Sequence, residues 1–270
     1  MSESIRAVER ALDVLTCFSD ETPELTMTQI AERVGIHKST IHRLLATLEK
    51  KRFVQRDPVT GIYRLGIRLL QMAYLTLEHN DLRRLAAPFL RRLCDQHQEN
   101  IDLSVLDDAD VVYLNMLESP QRVKLAAAVG QRLPAFATAS GKAILAYMPD
   151  ETVRHILERG MPQYTLYTLR SSEAFFENMR QVRMQGFAVS EQEFEEGINA
   201  VAAPILDLCD RPIAAVAVAG PAYRLSRQRM IEIGPHVVTT AREIAQEVKM
   251  AAHSEGCPAE NSPVASEGGL

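Results

Sequence analysis

The sequence predicts an α+β protein with a winged helix-turn-helix near its N-terminus and a separate antiparallel-sheet domain in its C-terminal part. First, residues 25–66 contain a short apolar helix, a glycine turn, a helix with a basic face and a hairpin, in that order. Second, strand-like and helix-like segments are interspersed from residue 101 onwards, which is typical of a sheet covered by helices. Third, 270 residues with 46% hydrophobic content are enough for two domains.

The first two helices are predicted from spacing and capping. The first has apolar residues at helical spacing that should form one buried face, namely Val8, Ala11, Leu12, Leu15 and Phe18. The second should begin at a capping box formed by Thr26 and Gln29. It should end at Gly35, where a left-handed backbone costs least. Its inner face is Met27, Ile30, Ala31 and Val34.

The third helix should run from about His37 or Lys38 to Lys50. Its apolar stripe is Ile41, Leu44, Leu45 and Leu48, at the spacing that packs one face on the first two helices. The opposite face is short or cationic, so its backbone can approach base edges closely. That face consists of Ser39, Arg43, Ala46, Thr47 and Lys50, with Thr40 and His42 at its flanks.

A hairpin is predicted next, with strands at residues 53–56 and 62–65 around a Pro-Val-Thr-Gly turn. Between Arg33 and Gly66 there are eight Lys or Arg and two acids, a local net charge of +6, whereas the whole chain carries −5. This concentration of positive charge favours contact with a double-stranded DNA operator. The expected DNA-binding residues are Lys38, Ser39, Thr40, His42, Arg43, Thr47, Lys50, Arg56 and Arg64. The alternative is an ordinary solvated basic surface.

The remaining chain is predicted to form a linker helix and a sheet domain. Residues 66–77 are apolar on more than one side, which suggests packing against a second subunit, and Asp81 should open a longer helix. Predicted strands cover residues 101–106, 111–117, 122–129, 187–190, 200–206 and 213–219. Predicted helices cover residues 140–147, 150–158, 171–185 and from about 226 onwards. The expected domains are residues 1–66, 67–80, 81–252 and a disordered polar tail at 253–270.

Several classes of protein are disfavoured by what the sequence lacks. It has no apolar run of about 20 residues and no apolar signal core, so we expect a cytoplasmic protein without membrane contact. Its four cysteines are scattered and form no CxxC or Cys/His cluster, which predicts neither a metal site nor a disulfide framework. No motif calls for a cofactor.

An enzyme acting on a small carboxylic acid, with the N-terminal part as a protein-interaction module, is the main rival hypothesis. Ser140 lacks the nucleophile elbow, and no glycine-rich phosphate loop precedes Lys142. We expect Lys142 to be a helix-surface lysine and the acidic run at residues 191–196 to be a solvated loop. A pure interaction scaffold would explain the apolar linker helix but not the basic third helix.

Seven segments in register resemble the IclR family of bacterial transcriptional regulators, over roughly residues 4–250. They are IRAVERAL at 5–12, KSTIHRLL at 38–45, YRLG at 63–66, LPAFATASGKAIL at 133–145, GFAV at 186–189, EGINAVAAP at 196–204 and Gly220-Pro221. The resemblance implies a winged helix-turn-helix, a linker helix and a GAF-like effector-binding domain. It also implies dimers or dimers of dimers that repress, or less often activate, catabolic genes under the control of a small organic or aromatic acid.

The same resemblance implies where the effector binds. The pocket should lie beside Ala139, Ser140 and Gly141, whose helix-start amides can hold a carboxylate. Four positions supply polar contacts in family members that bind small keto acids. They correspond here to Ser190 and to three alanines, Ala200, Ala217 and Ala219. Leu125, Leu133 and Ile198 match the family's apolar patch. We therefore expect a pocket that is more apolar and larger than that of the members that bind small keto acids. The alternatives are that Gly141 only permits close packing, and that the alanines are ordinary core residues with the effector elsewhere.

Overall fold

The computed structural model describes residues 5–19, 21–78 and 81–255, and the chain divides into two compact units at residues 1–80 and 81–270. Unit 1 contains helices α1 (Arg6–Thr16), α2 (Met27–Val34) and α3 (Lys38–Lys50), followed by strands β1 (Val54–Arg56) and β2 (Tyr63–Leu65) and helix α4 (Ile67–Glu78). The two strands pair antiparallel as the predicted hairpin. This is the winged helix-turn-helix that the sequence predicts.

The turn between α2 and α3 forms for the expected local reasons. The Gln29 amide donates to Thr26 Oγ1 at 3.3 Å, and Gln29 Oε1 accepts from the Thr26 amide at 2.8 Å, which completes the capping box. Gly35 has φ of +67° and ends α2, and its position is open enough that only backbone conformation demands glycine. Ile30, Ile41 and Leu45 are fully buried in the unit's core. The predicted inner faces of both helices are therefore confirmed.

The first helix buries only part of the predicted face, since Leu15 and Phe18 pack on the core of unit 1 and Ala11 is half-buried. Val14 is its one fully buried residue within the described part, whereas Val8 and Leu12 are 52% and 55% exposed. The apolar residues of α1 span two faces, and only the face around Val14 packs on α2 and α3. The other face is left uncovered by unit 1.

Unit 2 is an α+β domain built on one antiparallel sheet. Its strands are β3 (Asn100–Asp107), β4 (Asp110–Leu117), β5 (Arg132–Pro134), β6 (Ala188–Glu191), β7 (Ile198–Leu206) and β8 (Pro212–Pro221). Its helices are α5 (Asp81–His97), α6 (Ala139–Leu145), α7 (Asp150–Leu157), α8 (Ser172–Gln185) and α9 (Arg227–Glu255). The sheet order is β5-β4-β3-β8-β7-β6, with every neighbouring pair antiparallel.

Both faces of this sheet are covered, so its central strands carry two distinct sets of side chains. On one face Ile101, Leu103 and Val216 join a core with α5 and α9. On the other, small residues such as Ala202, Ala215 and Ala217 pack against α6. Because alanine side chains are short, α6 lies close to the sheet, and the space beyond its N-terminal end stays open.

The predicted strand at residues 122–129 is wrong. This segment is irregular, and pairing with β4 starts only at Gly130 and Gln131, whose amides are within 3.1 Å of their β4 and loop partners. Two side chains hold the segment in place. Asn100 Nδ2 donates to the Leu125 carbonyl at 3.3 Å, and Arg224 donates to the Val123 carbonyl at 3.0 Å. These two bonds hold residues 122–129 over one face of the sheet, and this stretch is called the wall segment below.

The chain end also differs from expectation. Helix α9 continues through Glu255, three residues into the segment predicted to be disordered. The rest of the predicted tail lies outside the described residues. Across the part of the chain that the structure describes, no helix is both long and apolar enough to cross a membrane.

Candidate nucleic-acid interface and ligand cavity

Helix α3 presents a polar, cationic face opposite its buried stripe. The expected residues on this helix are all exposed except Thr40, which is half-buried, and the exposed ones are Lys38, Ser39, His42, Arg43, Thr47 and Lys50. Ile41 and Leu45, on the other side, are 0% exposed. The helix is thus fixed by its apolar side while its cationic side is free to contact a ligand.

Most cations on this face have no intramolecular partner. None of the ion pairs among the described residues involves Lys38, Arg43 or Lys50, so a phosphate that bound these side chains would break no ion pair. The hydroxyls are less available. His37 caps the helix by accepting from the Ser39 amide at 3.3 Å, and the Thr47 hydroxyl donates to the Arg43 carbonyl at 2.9 Å. The sequence analysis missed this His37 cap.

The hairpin carries two further cations with internal contacts. Arg64 pairs with Glu24 at 2.7 Å, and both side chains are about half exposed. Arg56 lies 5.8 Å from the centre of the Tyr63 ring. At the tip, the Asp57 carboxylate accepts from the amides of Thr60 and Val59, which lowers its pKa below the usual range. The hairpin tip is therefore held in one conformation. Arg64, on β2, could leave Glu24 to bind a phosphate because both side chains are half exposed.

Unit 2 contains a cavity of about 90 Å³ between the sheet, the start of α6 and the wall segment of residues 122–129. Of the residues expected at an effector pocket, those lining it are Leu125, Leu133, Ala139, Ser140, Ser190, Ile198, Ala200 and Ala219. Gly141 and Ala217 do not line it. The structure thus brings most of the expected pocket together, but the cavity is smaller than the roomy pocket that the alanines led us to expect.

Packing explains the two exceptions. A Cβ on Gly141 would lie 2.1 Å from the Ala135 carbonyl oxygen, and the Gly141 amide already donates to Thr138 Oγ1 at 3.2 Å. Glycine here permits close packing, and its amide is not open to a ligand carboxylate. Ala217 is 1% exposed and belongs to the core beneath α6. These two positions follow the alternatives weighed from the sequence.

The cavity also contains an acid that was not predicted from the sequence. Asp102, on β3, is 3% exposed and accepts a hydrogen bond from Ser140 Oγ at 3.2 Å. Burial raises the pKa of Asp102 to about 7, although the Ser140 hydrogen bond acts in the opposite direction. Burial, reinforced by the charge of Asp102, also raises the pKa of Tyr113 on the neighbouring strand. Asp102 therefore titrates much closer to neutral pH than an exposed aspartate does.

The residues lining this cavity include two carboxyl groups, Asp102 and Glu195, and no Lys, Arg or His. A ligand carboxylate about 4 Å from an ionised Asp102 would be opposed by roughly 4 kcal/mol at an effective dielectric constant near 20. Neutral hydrogen-bonding groups are contributed by Ser140, Ser190 and Thr138. The cavity is thus suited to polar ligands but does not neutralise an anion with a cation.

A buried ion pair holds the loop that closes one side of the cavity. Lys142, on α6, is 0% exposed and donates to Glu193 Oε1 and, at 2.6 Å, to the Val189 carbonyl. Burial raises the pKa of Glu193 despite the neighbouring ammonium, and its Oε2 has no partner among the described residues. The expectation of a surface lysine was wrong for Lys142, and the expectation of a solvated acidic loop was wrong at Glu193, whereas Glu195 and Glu196 are exposed.

Loop residues 192–197 are further fixed by hydroxyls and aromatic rings. The Thr165 and Thr168 hydroxyls each donate at 2.6 Å, to the Gln192 and Glu193 carbonyls respectively. Phe194, which lines the cavity, packs on Tyr164 with ring centres 5.0 Å apart. The acidic run is therefore a structured wall of the cavity.

A larger groove of about 350 Å³ runs along α9 and includes Arg242 and Lys249 in its lining. Its cations would suit an anion, so it represents the alternative in which the effector binds elsewhere. It contains none of the expected pocket residues and no buried polar group without a partner. The described residues also contain no cluster of three or more metal-ligating side chains.

Comparison with known proteins agrees with this architecture. Residues 7–58 match the model of the IclR helix-turn-helix domain, and residues 74–246 match that of the bacterial transcriptional regulator IclR C-terminal domain. The HTH-type transcriptional regulator XynR of Escherichia coli is 34% identical over 79% of this chain and 85% of its own length. The transcriptional repressor IclR of E. coli is 29% identical over 89% of each chain.

The fold is also shared with a solved structure, an IclR homologue from Microbacterium hydrocarbonoxydans complexed with 4-hydroxybenzoate. That structure has a TM-score of 0.75 and 24% identity, over 89% of this chain and 99% of its own. The matched families are regulators that bind DNA, not enzymes, which removes the rival hypothesis of catalysis. The chain therefore belongs to the IclR family of bacterial transcriptional regulators.

Proposed function

We propose that this protein represses catabolic genes and that a small organic acid, bound in the cavity of unit 2, changes its affinity for operator DNA. The DNA-binding part rests on the face of α3, where cations without an ion-pair partner among the described residues lie opposite the buried Ile41 and Leu45. Repression is favoured by the likeness to the E. coli repressor IclR over 89% of both chains.

The α3 face suggests distinct roles for its residues. Arg43 is at mid-helix, where a guanidinium can reach a guanine edge or a phosphate. Lys38 and Lys50, at opposite ends of the helix, are placed for phosphates, as are Arg56 and Arg64 on the wing. The remaining contacts are assigned to the other polar residues on this face and its flanks, namely Ser39, Thr40, His42 and Thr47.

The cavity supports a small acid as the effector. Its volume of about 90 Å³ is below the roughly 150 Å³ of an apolar cavity that holds benzene. A short-chain acid therefore fits without rearrangement, whereas an aromatic acid requires the wall segment around Leu125 to move. An IclR homologue of the same fold is complexed with 4-hydroxybenzoate, so a protein of this fold can hold an aromatic acid.

We also assign to this protein a homodimer, or a dimer of dimers, formed through unit 1. Helix α4 has no fully buried residue, and Leu70, Tyr74 and Leu75 are each more than half exposed. The uncovered face of α1, with Val8 and Leu12, is a second exposed apolar surface of unit 1. Apolar surface of this extent is covered in stable proteins, and a second copy is the simplest cover.

A salt series tests the DNA-binding assignment. Fluorescence anisotropy with the DNA flanking the protein's own gene should give a steep decrease in affinity with salt, because bound cations release counterions. Arg43→Ala should weaken binding tenfold or more, whereas Arg180→Ala, which removes an exposed cation of unit 2, should leave it unchanged. Equal affinity of wild type and Arg43→Ala for this DNA would refute the assigned interface.

A further inference from the structure

The proposed function places an acid in a cavity whose described lining contains no cation. Within its described lining the ionisable side chains are Asp102, Glu195 and Tyr113, which are negative or neutral. Lys142 lies on the adjoining α6, but its ammonium contacts Glu193 and the Val189 carbonyl. The described lining therefore offers no positive charge to balance a ligand carboxylate.

Asp102 is built into the floor of this cavity. It is the middle residue of the polar face of β3, in register with Ala217 of β8 and Met116 of β4, so no charged residue flanks it on either strand. It is 3% exposed, and Ser140 Oγ donates to its Oδ1 at 3.2 Å. A ligand that hydrogen-bonds to Ser140 is thereby brought to the carboxyl group of Asp102.

The other elements that line the cavity bring no positive charge near Asp102 either. Tyr113 lies on β4 and Glu195 on the 192–197 loop, whereas Ala219 of β8 and Ser190 of β6 carry no charge. The Ser190 hydroxyl is oriented to donate to the Ala137 carbonyl at 3.3 Å. Two carboxylates cannot both stay ionised at hydrogen-bonding distance in such surroundings, and they are stable together only when they share a proton.

We propose that Asp102 is the residue that recognises the effector's acid group, and that the two carboxyl groups bind as a pair holding one proton between them. Oδ2 of Asp102, or the ligand oxygen opposite it, carries this proton, which is taken from solvent when both groups are ionised beforehand. Because burial raises the pKa of Asp102 to about 7, free Asp102 is already protonated at pH 5.5 and mostly ionised at pH 8. Acid binding should then take up close to one proton at pH 8 and almost none at pH 5.5.

The inference rests on the proposed function, and the first step of the test separates the two. Short-chain and aromatic acids, including pyruvate, glyoxylate, benzoate and 4-hydroxybenzoate, are screened for thermal stabilisation of the full-length protein at pH 6. The acid giving the largest shift is measured by calorimetry at pH 5.5 to 8.5, in buffers of different ionisation enthalpy. If no acid stabilises the protein in this screen, the acid effector and the role of Asp102 both fail.

The wild-type measurement decides the inference without any variant. We expect uptake of about one proton at pH 8 and a dissociation constant that rises about tenfold per pH unit above pH 7. An acid that binds with the same affinity at pH 6 and pH 8 and with no proton uptake overturns the inference while leaving the proposed function intact.

Variants identify the carboxyl group involved. Asp102→Asn donates an N–H to the ligand carboxylate without needing a proton, so it should bind the acid with an affinity independent of pH and no proton uptake. The neutral amide of the same acid should bind wild type with no pH dependence between pH 6 and 8. If Glu195→Gln, and not Asp102→Asn, abolishes the uptake, the assignment to Asp102 is wrong.

Discussion

Replacing Lys142 with methionine tests the buried ion pair that fixes the loop of residues 192–197. Glu193 is 7% exposed and its Oε2 already lacks a partner in the described structure, so the substitution would leave a buried carboxylate without its cation. Removing one partner of a buried pair costs about 3–5 kcal/mol. For a domain of roughly 150–250 residues, that corresponds to a decrease in melting temperature of about 6–20 °C.

The assay is a thermal melt of the full-length protein by circular dichroism, with urea unfolding for the free energy. The matched control is Arg180→Ala, whose pair with Glu177 is exposed and should contribute less than about 1 kcal/mol. A double variant, Lys142→Met with Glu193→Leu, should be less destabilised than Lys142→Met alone, because no charge is left buried. A cost below 1 kcal/mol for Lys142→Met, or a double variant as unstable as the sum of its parts, would refute the reasoning.

Three further predictions concern stability and assembly. Burial raises the pKa of Asp102 from 3.8 to about 7, so the folded protein holds this proton to a higher pH than the unfolded chain does. The free energy of unfolding should therefore fall by roughly 4 kcal/mol as the pH rises from 4 to 8. Urea unfolding should show this loss in wild type and not in Asp102→Asn, and equal pH profiles would contradict it. Gly141→Ala forces a Cβ to within 2.1 Å of the Ala135 carbonyl and should destabilise unit 2 by about 3 kcal/mol or more, as measured by calorimetry. A normal melting temperature would show that α6 can move. Leu70→Glu, at a side chain 65% exposed, should dissociate the dimer in analytical ultracentrifugation without lowering helicity, whereas a dimer of unchanged affinity would locate the interface elsewhere.

Local chemistry made unit 1 predictable from the sequence. The capping box at Thr26 and Gln29 and the left-handed Gly35 are set by neighbouring residues, and both are present in the structure. The buried face of α1 was not predictable in the same way. Its apolar residues cover two faces, and only tertiary packing decides that Val14 is buried and Leu12 exposed.

Only those cavity residues that match the family's motifs were predicted from the sequence. The resemblance led to Ser140, Ser190 and the surrounding apolar residues, but it gave no reason to single out Asp102. A signal was present, since polar and apolar residues alternate through Asn100, Asp102 and Ser104. That alternation usually predicts a solvated face, and only the packing of α6 over the sheet makes Asp102 a buried acid.

Long-range contacts account for the remaining errors. Residues 122–129 have strand-like composition, yet Asn100 and Arg224 bond their carbonyls and hold them away from β4. Lys142 and Glu193 are 51 residues apart and form a buried pair that no local pattern predicts. Side chains that become ionic partners across the fold cannot be recognised from one sequence by spacing alone.

The central claim is that an acid in the cavity of unit 2 controls DNA binding by unit 1. It is tested most directly by measuring operator affinity by anisotropy, with and without the acid selected in the thermal screen. The matched variant is Ala219→Leu, which fills the cavity from β8 and leaves the α3 face unaltered. We predict that the acid changes the operator dissociation constant of wild type at least tenfold and leaves that of Ala219→Leu unchanged. An acid that binds wild type but leaves its operator affinity unaltered, or that acts equally on both proteins, would contradict the claim.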